Sequence, residues 1–415
     1  MAIAGLLLAA LFVLFAGGNA LAGTARPNAL DRSVDAIPAA TLQSAPAIAL
    51  VDADREAAAE RLQGYRAPIW IAMMLLQILV LAWFWRSGWA AAWRDRLRRS
   101  MRNAFAVRFV FGASLVLIAK FAALLPQFAE YRLWRVMDIS TELSRAWIAD
   151  WFLGALFAMA IAGVVAGVVL WFADRTHQWY LYTIAGVIAI TLLVKWANPL
   201  TAPAFARETA VPPAVATETA ALASGAGLGG VRVREAVISD RTRAGSANVI
   251  GLGPSQTLLL SDTLLQGSTR GEVRFAIARE IGYLVADDSL HLAIAEALIA
   301  IVGAALAVFI ADRIGFRRDD DPVSRLALVG ALLGCVYLIA LPLYRGYERG
   351  VEARADRYAL ALTRDPAPAI RAVVRRADQE LLAVCPNRFS LAYFETMPPT
   401  AARVAAFTGR ANPCP

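Results

Sequence analysis

The stretch FAIAREIGYLVADD, residues 275–288, decides how this chain is read. An Arg-Glu pair interrupts an otherwise apolar run that has helical spacing. The core, Arg279-Glu280-Ile281-Gly282-Tyr283, keeps the spacing of the metal-binding pattern H-E-x-x-H. Other side chains hold both His positions. A helix is expected to start near Thr269 or Arg270 and to run through this motif into the apolar span that follows.

Composition bounds the surroundings. The chain has 415 residues, 59% of them hydrophobic, and a mean hydropathy of +0.53. That excess points to a polytopic membrane protein, mainly α-helical. The net charge is +8. Its Arg residues flank apolar spans and form no single basic domain, so nucleic acid is not an expected partner. Three Cys without a Cys-x-x-Cys pair exclude a Cys-rich zinc site. Cys385 and Cys414 could pair only in an oxidising compartment.

A helix needs about 20 apolar residues to cross the hydrocarbon core. Seven segments qualify: 3–22, 67–86, 105–125, 151–173, 178–196, 290–311 and 325–345. The first reads either as a signal peptide (1–22) or as a span. An extramembrane segment, 23–66, follows, with a short helix over DADREAAAERLQGYR. Four spans then occupy 67–196. A polar α+β block, 197–289, carries strands in VRVREAVIS, GSANVIGLG and TLLLSD. Two spans fill 290–345, and 346–415 completes the polar part. Arg94, Arg96, Arg98, Arg99 and Arg102 mark one loop as cytoplasmic. Counting spans from there places 197–289 and the C-terminus outside the cytoplasm, in what is expected to be a bacterial inner membrane.

In H-E-x-x-H proteins two His, four apart on one helix face, bind Zn²⁺, and the Glu is the general base. ERGVEARADRYAL (348–360), SANVIGLGPSQTLLLSDTLL (246–265) and TMPPTAARVAAF (396–407) surround the motif in this chain. Together the four segments resemble the CAAX prenyl protease type 1 family of integral-membrane zinc metallopeptidases, zincin-like in their catalytic domain. The resemblance implies about seven transmembrane helices around a chamber, capped by a small α+β domain. It makes Glu280 the vestigial general base and Glu352 the vestigial third metal ligand. It implies that Asp356 and Arg349 flank that ligand and that Asn248 lies on an edge strand beside bound peptide. Met397 stands where the family has a His, and Arg403 is the Arg that follows.

The departures are as informative. Arg279 and Tyr283 hold the two His positions. Arg cannot be deprotonated in a protein, and a phenol with an ordinary pKa of about 10 is a poor zinc ligand. Glu280, Glu352 and Asp356 without a cation would be buried unpaired anions, which is costly. Arg279 therefore reads as an internal replacement for the metal. No cofactor is expected; zinc belongs only to the alternative of an active endopeptidase with altered ligands. The leading expectation is an inactive pseudopeptidase that binds peptide or lipid-modified membrane clients, with membrane lipid around it. A structural scaffold is the third reading.

Overall fold

The computed structural model describes residues 34–315 and 321–414. The candidate span at 3–22 lies outside the described residues. In chain order the helices and strands are α1 (Ala39–Ser44), α2 (Ala53–Arg86), α3 (Trp89–Ser100), α4 (Ala104–Val136), α5 (Ser144–Ala173), α6 (Trp179–Thr201), β1 (Arg207–Thr209), α7 (Pro213–Gly225), β2 (Arg232–Val237), β3 (Ala247–Ile250), β4 (Thr257–Ser261), α8 (Asp262–Gly267), α9 (Arg270–Val285), α10 (Asp288–Gly315), α11 (Pro322–Thr363), α12 (Pro366–Glu380), α13 (Arg388–Tyr393) and α14 (Thr400–Phe407). Among the described residues six helices are long and apolar enough to cross a membrane: α2, α4, α5, α6, α10 and α11. Most of their apolar surface is open, as expected where lipid is the solvent. The chain is a polytopic helical membrane protein with a small mixed domain.

Several element boundaries differ from those expected. The segment at 53–66 is not a separate short helix. Asp52 caps it, accepting from the N–H groups of Asp54 and Arg55 at 2.9 and 3.2 Å, and it continues through Pro68 into the span. The Arg-rich loop is itself helical, as α3. The helix of the motif does not run into the sixth span. It ends at Val285, and Asp287 adopts a left-handed φ of 50° before α10 begins. Buried Asp288 then pairs with Arg354. Conversely, the span at 325–345 does not stop at the membrane. α11 continues to Thr363, roughly 63 Å at 1.5 Å per residue, and so carries membrane and site residues on one rod.

The sheet order is β1-β2-β4-β3, with β2 and β4 parallel and the other pairs antiparallel. β1, three residues long, has no alternating pattern to betray it. β3 is an edge strand. A capping box starts α9: the Thr269 hydroxyl accepts from the Glu272 N–H, and the Glu272 carboxylate accepts from the Thr269 N–H at 2.7 Å. One face of α9, with Val273, Ile277 and Ile281, packs on Leu258 and Leu260 of the sheet. The opposite face, with Phe275 and Ala278, packs on Ile370, Val374 and Val404. The segment before α2 closes this second core with Leu42 and Leu50. Fully burying a Leu or Ile contributes about 1.5–3 kcal/mol, so α9 is fixed from both sides.

Two contacts set the ends of the bundle. Arg94 and Arg98 reach Asp321 at 3.5 and 2.7 Å, which puts α3 and the start of α11 at one end. At the other end of α4, Thr141 N–H donates to the Arg241 carbonyl at 3.0 Å, and Arg241 pairs with Asp150. The mixed domain docks there. Cys385 and Cys414 form a disulfide.

Candidate functional site

Helices α9 and α11 meet closely because of Gly282. A Cβ there would lie 3.0 Å from Tyr358 Cδ1. Arg279 and Tyr283 are four apart on α9; Glu352 and Asp356 are four apart on α11. That spacing puts each pair on one helix face, and the two faces oppose each other.

Arg279 lies at the centre. Its Nη1 donates to Glu280 Oε1 at 3.2 Å. Its Nη2 pairs with Glu352 Oε2, and its Nε lies 3.2 Å from Asp356 Oδ1. One planar guanidinium thus faces three carboxylates, a task suited to its fork of five donors. Arg279 is 7% exposed, Glu280 3% and Asp356 4%. The Tyr283 hydroxyl donates to Glu352 Oε1. Arg403 binds Asp356 through two bonds, Nε to Oδ2 at 2.7 Å and Nη2 to Oδ1 at 2.9 Å. Two guanidinium groups therefore serve three carboxyl groups.

Burial resolves the remaining imbalance. It pushes the Glu280 carboxyl up to about 7, against the pull of Arg279 and of the Val249 N–H that it accepts at 3.0 Å. Glu280 is thus shared between protonated and ionised forms near neutral pH. Burial also raises the Tyr283 phenol above its ordinary range, which keeps it a hydrogen-bond donor.

The remaining residues singled out from the sequence fall around this cluster. Asn248 is exposed on β3, opposite Leu259. Met397 Sδ accepts from Arg376 Nη1 at 2.9 Å. Arg349 lies apart: it donates to the carbonyls of Leu391 and Glu395 and pins the segment after α13. Sequence reasoning missed two participants. Arg376 lies near Glu280 and Asp356 and also pairs with Glu380, four residues on, at 2.9 Å. The Val249 N–H is a backbone donor, which no side-chain pattern announces.

Zinc would need three protein ligands offering lone pairs. Arg279 offers none and brings a positive charge, and Tyr283 is a neutral phenol here. The residues present do not fit the ion. Among the described residues no group of three or more His, Cys, Asp or Glu is placed to hold a metal. His291 lies beyond the break at Asp287, on α10 and off the motif helix.

With this geometry in view, the comparisons are specific. Residues 212–411, just under half of the chain, match the model for peptidase family M48. That part of the chain is similar to the M48 peptidases. No curated protein matches it. A crystal structure of S. mikatae Ste24p superposes with a TM-score of 0.71 at 17% identity, covering 96% of this chain and 97% of that one. The likeness in fold therefore includes the membrane helices as well as residues 212–411. Both findings agree with the resemblance drawn from the motifs. The matched segment begins at α7 and holds β2–β4, α9, α10 and α11, and so both halves of the site.

Proposed function

We propose that this integral-membrane M48 protein binds peptide or lipid-modified membrane clients and does not cleave them. The observation that carries this reading is Arg279, whose guanidinium lies among Glu280, Glu352 and Asp356 where the family pattern has a metal ligand. The retained edge strand β3, with Asn248 exposed, supports a peptide client. A cavity of ≈ 450 Å³ between α10 and α11 supports a client with an apolar group. It is apolar along Ile299, Leu333 and Val336, with Glu296, Tyr344 and Arg345 as its polar lining. Tyr344 is two turns from Glu352 on the same helix.

The M48 domain faces the extracytoplasmic side of a bacterial inner membrane in this proposal. The Arg-rich α3 at the opposite end of the bundle supports that orientation, as does the Cys385–Cys414 disulfide. The test is proteolysis of casein and of lipidated peptides by the purified chain, with and without chelator. No cleavage is expected in either case. Chelator-sensitive cleavage would replace this reading with an active metallopeptidase.

A further inference from the structure

β3 is the outer strand of the sheet, so one of its edges has no strand beside it. Across the β3–β4 pair, Ser261 N–H donates to the Ser246 carbonyl at 2.9 Å. In an antiparallel ladder such bonds fall on alternate residues. Asn248 and Ile250 therefore share the inward register of Ser246, and Val249 turns its backbone to the free edge. The Val249 N–H is already used: it donates to Glu280 Oε2 at 3.0 Å. That carboxylate is buried, and its other oxygen is held by Arg279 at 3.2 Å.

A peptide that adds a strand to an exposed edge places a carbonyl on each outward N–H. At Val249 that place is taken by a carboxyl oxygen, and the ionised form of Glu280 holds it most firmly. Hydrogen bonds to ionised acceptors are roughly twice as strong as those between neutral groups. We infer that Glu280, the former general base, is a lock on the client-binding edge. A peptide seats fully along β3 only by displacing the Glu280 carboxylate, which then relies on Arg279 alone. The inference rests on the proposed reading of β3 as the client edge.

The test uses the full chain in detergent and a biotinylated ten-residue peptide of alternating valine and threonine. Affinity is measured, and a photoreactive residue in place of Asn248 reports where the peptide lies. Glu280→Ala is expected to tighten binding on the order of tenfold, the scale of one lost competing hydrogen bond to a charged group. Glu280→Gln keeps an acceptor without the charge and is expected to give a smaller gain. Val249→Pro added to Glu280→Ala removes the outward donor at an edge position where Pro is tolerated, and should abolish the gain. If Glu280→Ala does not fold, the Gln variant decides: no gain there counts against the lock. Crosslinking at position 248 with equal affinity in wild type and both variants overturns the lock and leaves the client edge standing. No crosslinking in any variant overturns the client edge and the lock together.

Discussion

Arg279 places one guanidinium among three carboxylates. A metal ion and a guanidinium both neutralise carboxylates, but the guanidinium has no open position for a water or a substrate carbonyl. Its removal leaves Glu280, Glu352 and Asp356 with Arg403, bonded to Asp356, and the more distant Arg376 as cations. Arg279→Ala is expected to lose about 3–5 kcal/mol, the usual cost of breaking a buried ion pair, read by thermal or chemical unfolding in detergent. Stability equal to wild type would show that Arg279 balances nothing. A second buried pair gives a pH test away from the site. Arg55 and Asp378 meet at 2.8 Å, yet burial pushes Asp378 from 3.8 up to about 6. The folded state then holds a proton that the unfolded state releases between those values. Stability therefore falls as pH rises from about 4 through 6. Asp378→Asn should flatten the melting temperature over that window; an unchanged slope would contradict the assignment. The pairing of Arg279 with Tyr283, and of Glu352 with Asp356, on single helix faces was legible from their spacing; that the two faces meet was implied only by the family resemblance. The bond between Asp356 and Arg403 was not legible, since it joins α11 to a helix 47 residues later.

Helix boundaries were the least legible feature, and each failure has a cause. Hydropathy marks where a helix meets lipid but not where it stops, so α2 and α11 run well past their apolar windows. The break between α9 and α10 went unseen because Asp287 carries no Gly or Pro signal; an Asp in the left-handed region is uncommon but allowed. The strands β2, β3 and β4 were legible from alternation and the Gly-Pro turn. At this scale the decisive contact is the crossing of α9 and α11 at Gly282. A Cβ at 3.0 Å from the Tyr358 ring must push it aside, and a larger side chain must part the helices. Gly282→Leu is expected to cost about 1–3 kcal/mol and to weaken the bond from Tyr283 to Glu352. Unfolding in detergent checks the first effect. A variant as stable as wild type would mean the crossing has slack.

The whole molecule joins a membrane bundle to a small mixed domain, similar to the M48 peptidases, built from segments on either side of α10 and from the end of α11. That arrangement makes the site depend on membrane helices, because α11 supplies Glu352 and Asp356 from a rod that starts at the far end of the bundle. The proposed orientation also predicts topology. A periplasmic reporter fused at the C-terminus should be active, and one inserted within 94–102 should be silent; the reverse pattern would turn the protein over. Cys385→Ser or reduction should lower stability by about 2–4 kcal/mol, the usual contribution of a disulfide. The central claim is that an internal cation took the place of the metal, and zinc binding tests it most directly. Elemental analysis and zinc-dependent thermal shifts are compared for the wild type and for Arg279→His combined with Tyr283→His. The account predicts no stoichiometric zinc and no shift for the wild type. For the double variant, in which Glu352 completes a three-ligand set, it predicts zinc uptake and stabilisation. About one zinc per wild-type chain would contradict it.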